Sequence, residues 1–159
     1  MLVIDQIQNL FQARGNDRYG SERVSQLEHA TQCGLLAIKS QANESLVTAA
    51  LLHDIGHILG QDQLPDSDKE NLHDYHEERG CKWLKQFFGS AVVEPVRLHV
   101  AAKRYLCTVD PLYSTKLSPA SFKSFQDQGG TMSDAEVEAF QTNAFCKQAI
   151  ALRRWDDEA

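Results

Sequence analysis

The sequence predicts an all-α fold, a bundle of helices, and three observations carry that expectation. Apolar residues recur at three- and four-residue spacing along most of the chain. Helix-start signatures stand in front of several of these runs, as in Ser118-Pro119 and Ser133-Asp134-Ala135-Glu136. No segment shows the two-residue alternation bounded by turn residues that marks a half-buried strand.

Taken in order, Ile4, Ile7, Leu10 and Phe11 define a first helix that Gly15 ends. Val24, Leu27, Thr31, Leu35 and Ile38 mark a second, with Leu27 and Leu36 expected to face the core. Ser45 to His53, rich in Leu and Ala, reads as a short helix buried on most faces. Residues 60–71 are polar, contain Pro65 and read as a loop. A fourth helix carries His76, Gly80, Trp83, Leu84 and Phe87. A fifth runs from about Ser90 to Leu106, with Pro95 near its first turn or kinking it. An irregular stretch, 107–117, precedes the helix opened by Ser118-Pro119, which Gln128-Gly129-Gly130 stops. The capping box at Ser133 opens another, and a last one passes through Ile150 and Trp155.

With 159 residues, 17.9 kDa and 42% apolar residues, the chain suits one domain spanning 1–159. No apolar run approaches the roughly 18–20 residues of a membrane span. The first residues, MLVIDQIQNLFQ, lack a signal peptide's basic start and cleavage site. A cytoplasmic protein with no membrane partner is expected. The net charge of −6 argues against a nucleic-acid partner, since phosphate contacts need clustered Lys and Arg. Cys33, Cys81, Cys107 and Cys146 form no CxxC pair and read as reduced thiols.

The histidines carry the chemistry. His53-Asp54 ends the apolar helix and is followed by Gly56 and His57. His29 lies 24 residues before His53, His76 lies 22 after Asp54, and His99 lies 23 after His76. Each interval fits one helix and its connection, so successive helices can deliver one ligand each to a common centre. A single histidine on an apolar helix reads equally as a satisfied core residue. Four at this spacing with a carboxylate point instead to metal, and a bridging carboxylate allows two ions. Lys103 follows His99 by one helical turn, placed to point at what that metal binds. His57 stands in the same relation to His53.

The order His29, His53-Asp54, His76, His99, Asp156 resembles the HD-domain superfamily, a helical fold with its metal site in the core. Tyr19-Gly20-Ser21-Glu22, Gln26-Leu27-Glu28-His29, His99-Val100-Ala101-Ala102-Lys103-Arg104-Tyr105-Leu106, Gln128-Gly129-Gly130 and Arg153-Arg154-Trp155-Asp156 are similar to one branch of it. That branch is the PhnZ-like, mixed-valent di-iron oxygenases of organophosphonate breakdown.

The resemblance implies an HD-domain helical bundle with a dinuclear metal site and two iron ions, Fe(II)/Fe(III). One iron would be held by His29, His53, Asp54 and Asp156, the other by Asp54, His76 and His99. The expected substrate is 2-amino-1-hydroxyethylphosphonate, cleaved with dioxygen to glycine and phosphate. Tyr19 matches the tyrosine that occupies an iron position until substrate enters, and Glu22 the acid that meets the substrate's ammonium. His57, Lys103, Ser121, Ser124 and Arg153 are the expected substrate contacts, with Gln128 a weaker candidate. Two alternatives remain open: oxygenation of the trimethylammonium analogue to glycine betaine, and HD-type metal-dependent phosphohydrolysis.

Overall fold

Local signals start the helices. Ser25, Ser118 and Ser133 each accept a hydrogen bond from the backbone N–H three residues on, and Ser25–Glu28 and Ser133–Glu136 close full capping boxes. In the computed structural model, which describes residues 1–60 and 75–159, eight helices follow in order. They are α1 (Val3–Arg14), α2 (Gln26–Lys39), α3 (Glu44–Leu52), α4 (His76–Leu84), α5 (Ser90–Val109), α6 (Pro119–Asp127), α7 (Asp134–Thr142) and α8 (Cys146–Glu158). Short 3₁₀ turns occupy Ile55–His57 and Ser114–Lys116. The fold is all-α, and the one β-bridge among the described residues pairs Arg18 with Ser25. The loop expected around Pro65, and His73 with it, lies outside the described residues.

Helix α5 is the axis, packing against α3, α4, α7 and α8. Its inner residues serve three apolar clusters in turn. Val92, Val93 and Val96 join Leu52, Ile55, Leu84, Leu152 and Trp155 in the largest. Leu98 and Ala102 pack with Phe140 and Ala149. Leu106 and Cys107 pack with Tyr113 and Phe125. Pro95 lies inside α5, where its missing N–H removes one intrahelical bond. Among the described residues, no helix is long and apolar enough to cross a membrane.

Three expectations about elements need correction. The apolar stripe on α2 is not its buried face: Leu27, Leu35 and Ile38 are 40%, 50% and 57% exposed, and Thr31 is exposed too. The buried face is Gln26, His29, Ala30, Cys33, Gly34 and Ala37. Small side chains let α2 and α3 approach closely, and a Cβ on Gly34 would meet Leu51 at 3.6 Å. Phe87 lies beyond the end of α4, though its ring still packs on Trp83 with centroids 5.0 Å apart. Helix α5 runs on to Val109, shortening the expected irregular stretch.

Candidate metal centre

Each element brings one or two polar groups to one buried point. Helix α2 supplies His29, the end of α3 supplies His53 and Asp54, and the first residue of α4 is His76. The middle of α5 supplies His99, and the last turns of α8 supply Arg153 and Asp156. All six proposed ligands are buried. Burying this many polar groups is costly unless they are paired or bind an ion.

The carboxylate of Asp54 divides the cluster. Its Oδ2 lies 3.1 Å from His53 Nε2 and 3.8 Å from His29 Nε2. Its Oδ1 lies 3.2 Å from His76 Nε2 and 3.5 Å from His99 Nε2. Asp156 Oδ1 completes the first side, 3.0 Å from His29 Nε2 and 3.6 Å from His53 Nε2. On the second side, His76 and His99 bring their Nε2 atoms to 3.2 Å.

Hydrogen bonds behind the rings set their direction. His53 Nδ1 donates to the Ala50 carbonyl at 2.8 Å, and His99 Nδ1 to the Val96 carbonyl at 2.6 Å. In the neutral ring that leaves each Nε2 lone pair facing carboxylate or imidazole, an arrangement that calls for a cation between them. His53 Nε2 and Asp54 Oδ2 are buried without a hydrogen-bond partner. Burial alone would push His53 down, but Asp54 and the other nearby groups outweigh it and hold the ring well above the ordinary histidine range. Asp54 and Asp156 are held well below theirs despite burial, Asp54 by His53 above all and Asp156 by Arg153. The donor set is nitrogen and oxygen, suited to first-row transition ions.

Three groups here can hold a metal: His29, Cys33, His53 and Asp156; His53, Asp54 and His99; and Asp54, His57 and His76. Two of these residues make contacts that their sequence reading did not specify. His57, read as a substrate contact, stacks on His76 with centroids 4.0 Å apart and sets Nε2 4.0 Å from Asp54 Oδ1. Cys33, read as one of four reduced thiols, is buried 3.7 Å from His29 Nε2. The signal for Cys33 was its position one helical turn after His29. All four thiols are free, and burial pushes that of Cys33 up to about 12.

The cluster opens on a cavity of about 1080 Å³. Tyr19, Glu22, His57, Lys103, Ser121, Ser124, Gln128 and Arg153 all line it, so every expected substrate contact reaches this space. Tyr19 stacks on His29 with centroids 3.8 Å apart and donates its hydroxyl to Asp156 Oδ1 at 3.3 Å. Burial, then Asp156 and Asp54, raise that phenol well above its ordinary value. Lys103 Nζ donates to Ser124 Oγ at 2.6 Å, and Arg153 Nη2 reaches Ser121 Oγ at 3.4 Å. The two buried cations thus stand beside the cluster, each with a serine hydroxyl.

A helical fold that closes on four histidines and two aspartates defines a metal-site protein of the His/Asp class. The HD domain family matches residues 26–128, and the chain belongs to it. It is similar to a hydroxymethylphosphonate dioxygenase of Gimesia maris, 49% identical over 154 residues, 94% of this chain and 74% of that one. It is also similar to the [1-hydroxy-2-(trimethylamino)ethyl]phosphonate dioxygenase (glycine-betaine-forming) of Leisingera caerulea, 40% identical over 158 residues, 98% of this chain and 79% of that one.

Proposed function

We propose that this protein is a di-iron oxygenase of phosphonate catabolism that cleaves the C–P bond of 2-amino-1-hydroxyethylphosphonate with dioxygen. The observation that carries the reading is the divided carboxylate of Asp54, set beside two buried cations on one cavity. Two phosphonate dioxygenases among its relatives support the class of reaction. The reaction balances: substrate and one O2 contain the atoms of one glycine and one phosphate.

His29, His53 and Asp156 would hold one ion, His76 and His99 the other, with Asp54 between them. A mixed-valent Fe(II)/Fe(III) pair bound there supplies the one-electron chemistry that dioxygen requires. The protein's own groups do the rest. Lys103 and Arg153 donate charge-assisted hydrogen bonds to the phosphonate, with Ser121 and Ser124 filling its remaining acceptors. His57 meets the substrate beside His76. Glu22, on the cavity wall, accepts from the substrate ammonium. Tyr19 covers His29 and Asp156 until substrate displaces it, keeping water from the cluster. One HD domain spanning 1–159, in a reducing cytoplasm that suits four unpaired thiols, completes the reading.

The Gimesia maris relative favours a second substrate, hydroxymethylphosphonate, which has no ammonium for Glu22 to meet. Iron-loaded protein, partly reduced, should be given the amino, trimethylammonium and hydroxymethyl compounds with and without O2. Phosphate and glycine appearing from the amino compound, and only with O2, support the proposal. Preference for the hydroxymethyl compound, with formate as the carbon product, replaces the substrate but keeps the reaction. Phosphate released from nucleotides without O2 overturns it in favour of phosphohydrolysis.

A further inference from the structure

Arg153 has two duties, and its geometry divides them. Its Nη1 pairs with Asp156 Oδ2 at 2.7 Å, while its Nη2 faces Ser121 Oγ and the cavity. A free arginine side chain beside a buried carboxylate would close on it as a bidentate fork. That would withdraw the anion-facing edge and draw Asp156 away from His29 and His53. Two residues that no motif singled out prevent this. The Tyr113 hydroxyl accepts from Arg153 Nε at 3.3 Å and donates to Asp157 Oδ2. Asp157 Oδ1 accepts from Arg153 Nε at 3.0 Å and from Nη2. The result is a closed triangle that holds the guanidinium by its Nε–Nη2 edge and leaves Nη1 to Asp156, with Asp157 on the cavity wall beside it.

The triangle is well anchored. Tyr113 is buried, with its ring packed among Leu106, Cys107 and Phe125. Arg153 and Asp157 lie one turn apart on α8. Tyr113 comes from the connection between α5 and α6, so the contact ties α8 to the segment that presents Ser121 and Ser124. Burial opposes the Arg153 charge, but Asp156, Asp157 and Tyr113 outweigh it and hold the guanidinium well above its ordinary value, so it stays a cation.

We propose that Tyr113 and Asp157 are positioning residues for the anion end of the site. They hold the Nε–Nη2 edge of Arg153 so that Nη1 stays on Asp156 and the second Nη2 hydrogen stays on the Ser121 side, where it meets a dianionic phosphonate or phosphate head. This rests on the phosphonate reading for its substrate, but the contact itself is tested by inorganic phosphate alone.

Titration calorimetry of iron-loaded protein with inorganic phosphate, with metal content measured in parallel, provides the test. Tyr113→Phe keeps the ring and its packing and removes only the hydroxyl. Tyr113→Phe and Asp157→Asn should each weaken phosphate binding about tenfold, as losing one hydrogen bond to a charged group does, with iron per chain unchanged. In an Arg153→Lys background, Tyr113→Phe should cost less than about twofold more, because the residue it positions is gone. Unchanged phosphate affinity in Tyr113→Phe overturns the proposal. So does an equal loss in both backgrounds, or a loss of iron along with affinity, since either marks a purely structural role. Expected phosphate binding with no oxidation of any phosphonate sinks the functional reading and leaves this one standing.

Discussion

Gly56 and His76 touch through their backbones: a Cβ on Gly56 would fall far inside the van der Waals contact distance of the His76 carbonyl oxygen, and 3.0 Å from Gly80 N. The close approach seats the start of α4 on the turn that follows His53-Asp54, and so sets how far His76 lies from Asp54. Gly56→Ala should therefore cost about 3 kcal/mol or more, lowering Tm by roughly 6–12 °C. Thermal unfolding checks the first effect. A fall in bound iron exceeding that of an equally destabilising core variant such as Leu84→Ala checks the second.

His76 and His99 face the Oδ1 side of Asp54, while His29, His53 and Asp156 face the other. His76→Ala should then lose one ion of the pair and keep the other, abolishing turnover. Elemental analysis after reconstitution distinguishes this from loss of both ions, and full retention of both would remove His76 from the ligand set.

Lys103 is buried, and burial first, then the Arg153 charge, lowers its ammonium to about 8. Its charge is present below that pH and lost above it. Affinity for a dianionic phosphonate should fall as pH rises through about 8, read as a rising KM. Lys103→Arg, charged throughout, should shift the fall to higher pH, and Lys103→Ala should raise KM about ten- to a hundredfold at neutral pH. Stability moves the other way. The buried charge costs folding free energy below about 8, and the cost is relieved between that pH and the unfolded lysine's value.

Glu22 separates the two candidate substrates. In the Glu22→Gln variant, kcat/KM for 2-amino-1-hydroxyethylphosphonate should drop about tenfold, the cost of weakening one charged hydrogen bond. The value for hydroxymethylphosphonate should stay within about twofold. Parallel kinetics on both compounds decide it, and equal losses would remove Glu22 from substrate recognition.

Much of this molecule was legible in one dimension. Helix class, the caps at Ser118 and Ser133, the stop at Gly129-Gly130 and the chain order of the histidines and aspartates rest on interactions within three or four residues, or on residue identity itself. Such signals are complete before the chain folds. The tertiary structure decided the rest. Leu27, Leu35 and Ile38 form a convincing stripe, yet α2 buries His29, Cys33, Gly34 and Ala37, because α3 approaches that face closely and small residues permit it. Only the fold could divide the two oxygens of Asp54 between facing sets of histidines, or bring Tyr113 from a connecting segment to grip Arg153 on α8. Apart from the adjacent His53 and Asp54, those relationships join residues 22 to 45 positions apart, and the physical reason is packing: which faces meet is settled by shape and close approach between helices, a quantity no local pattern contains.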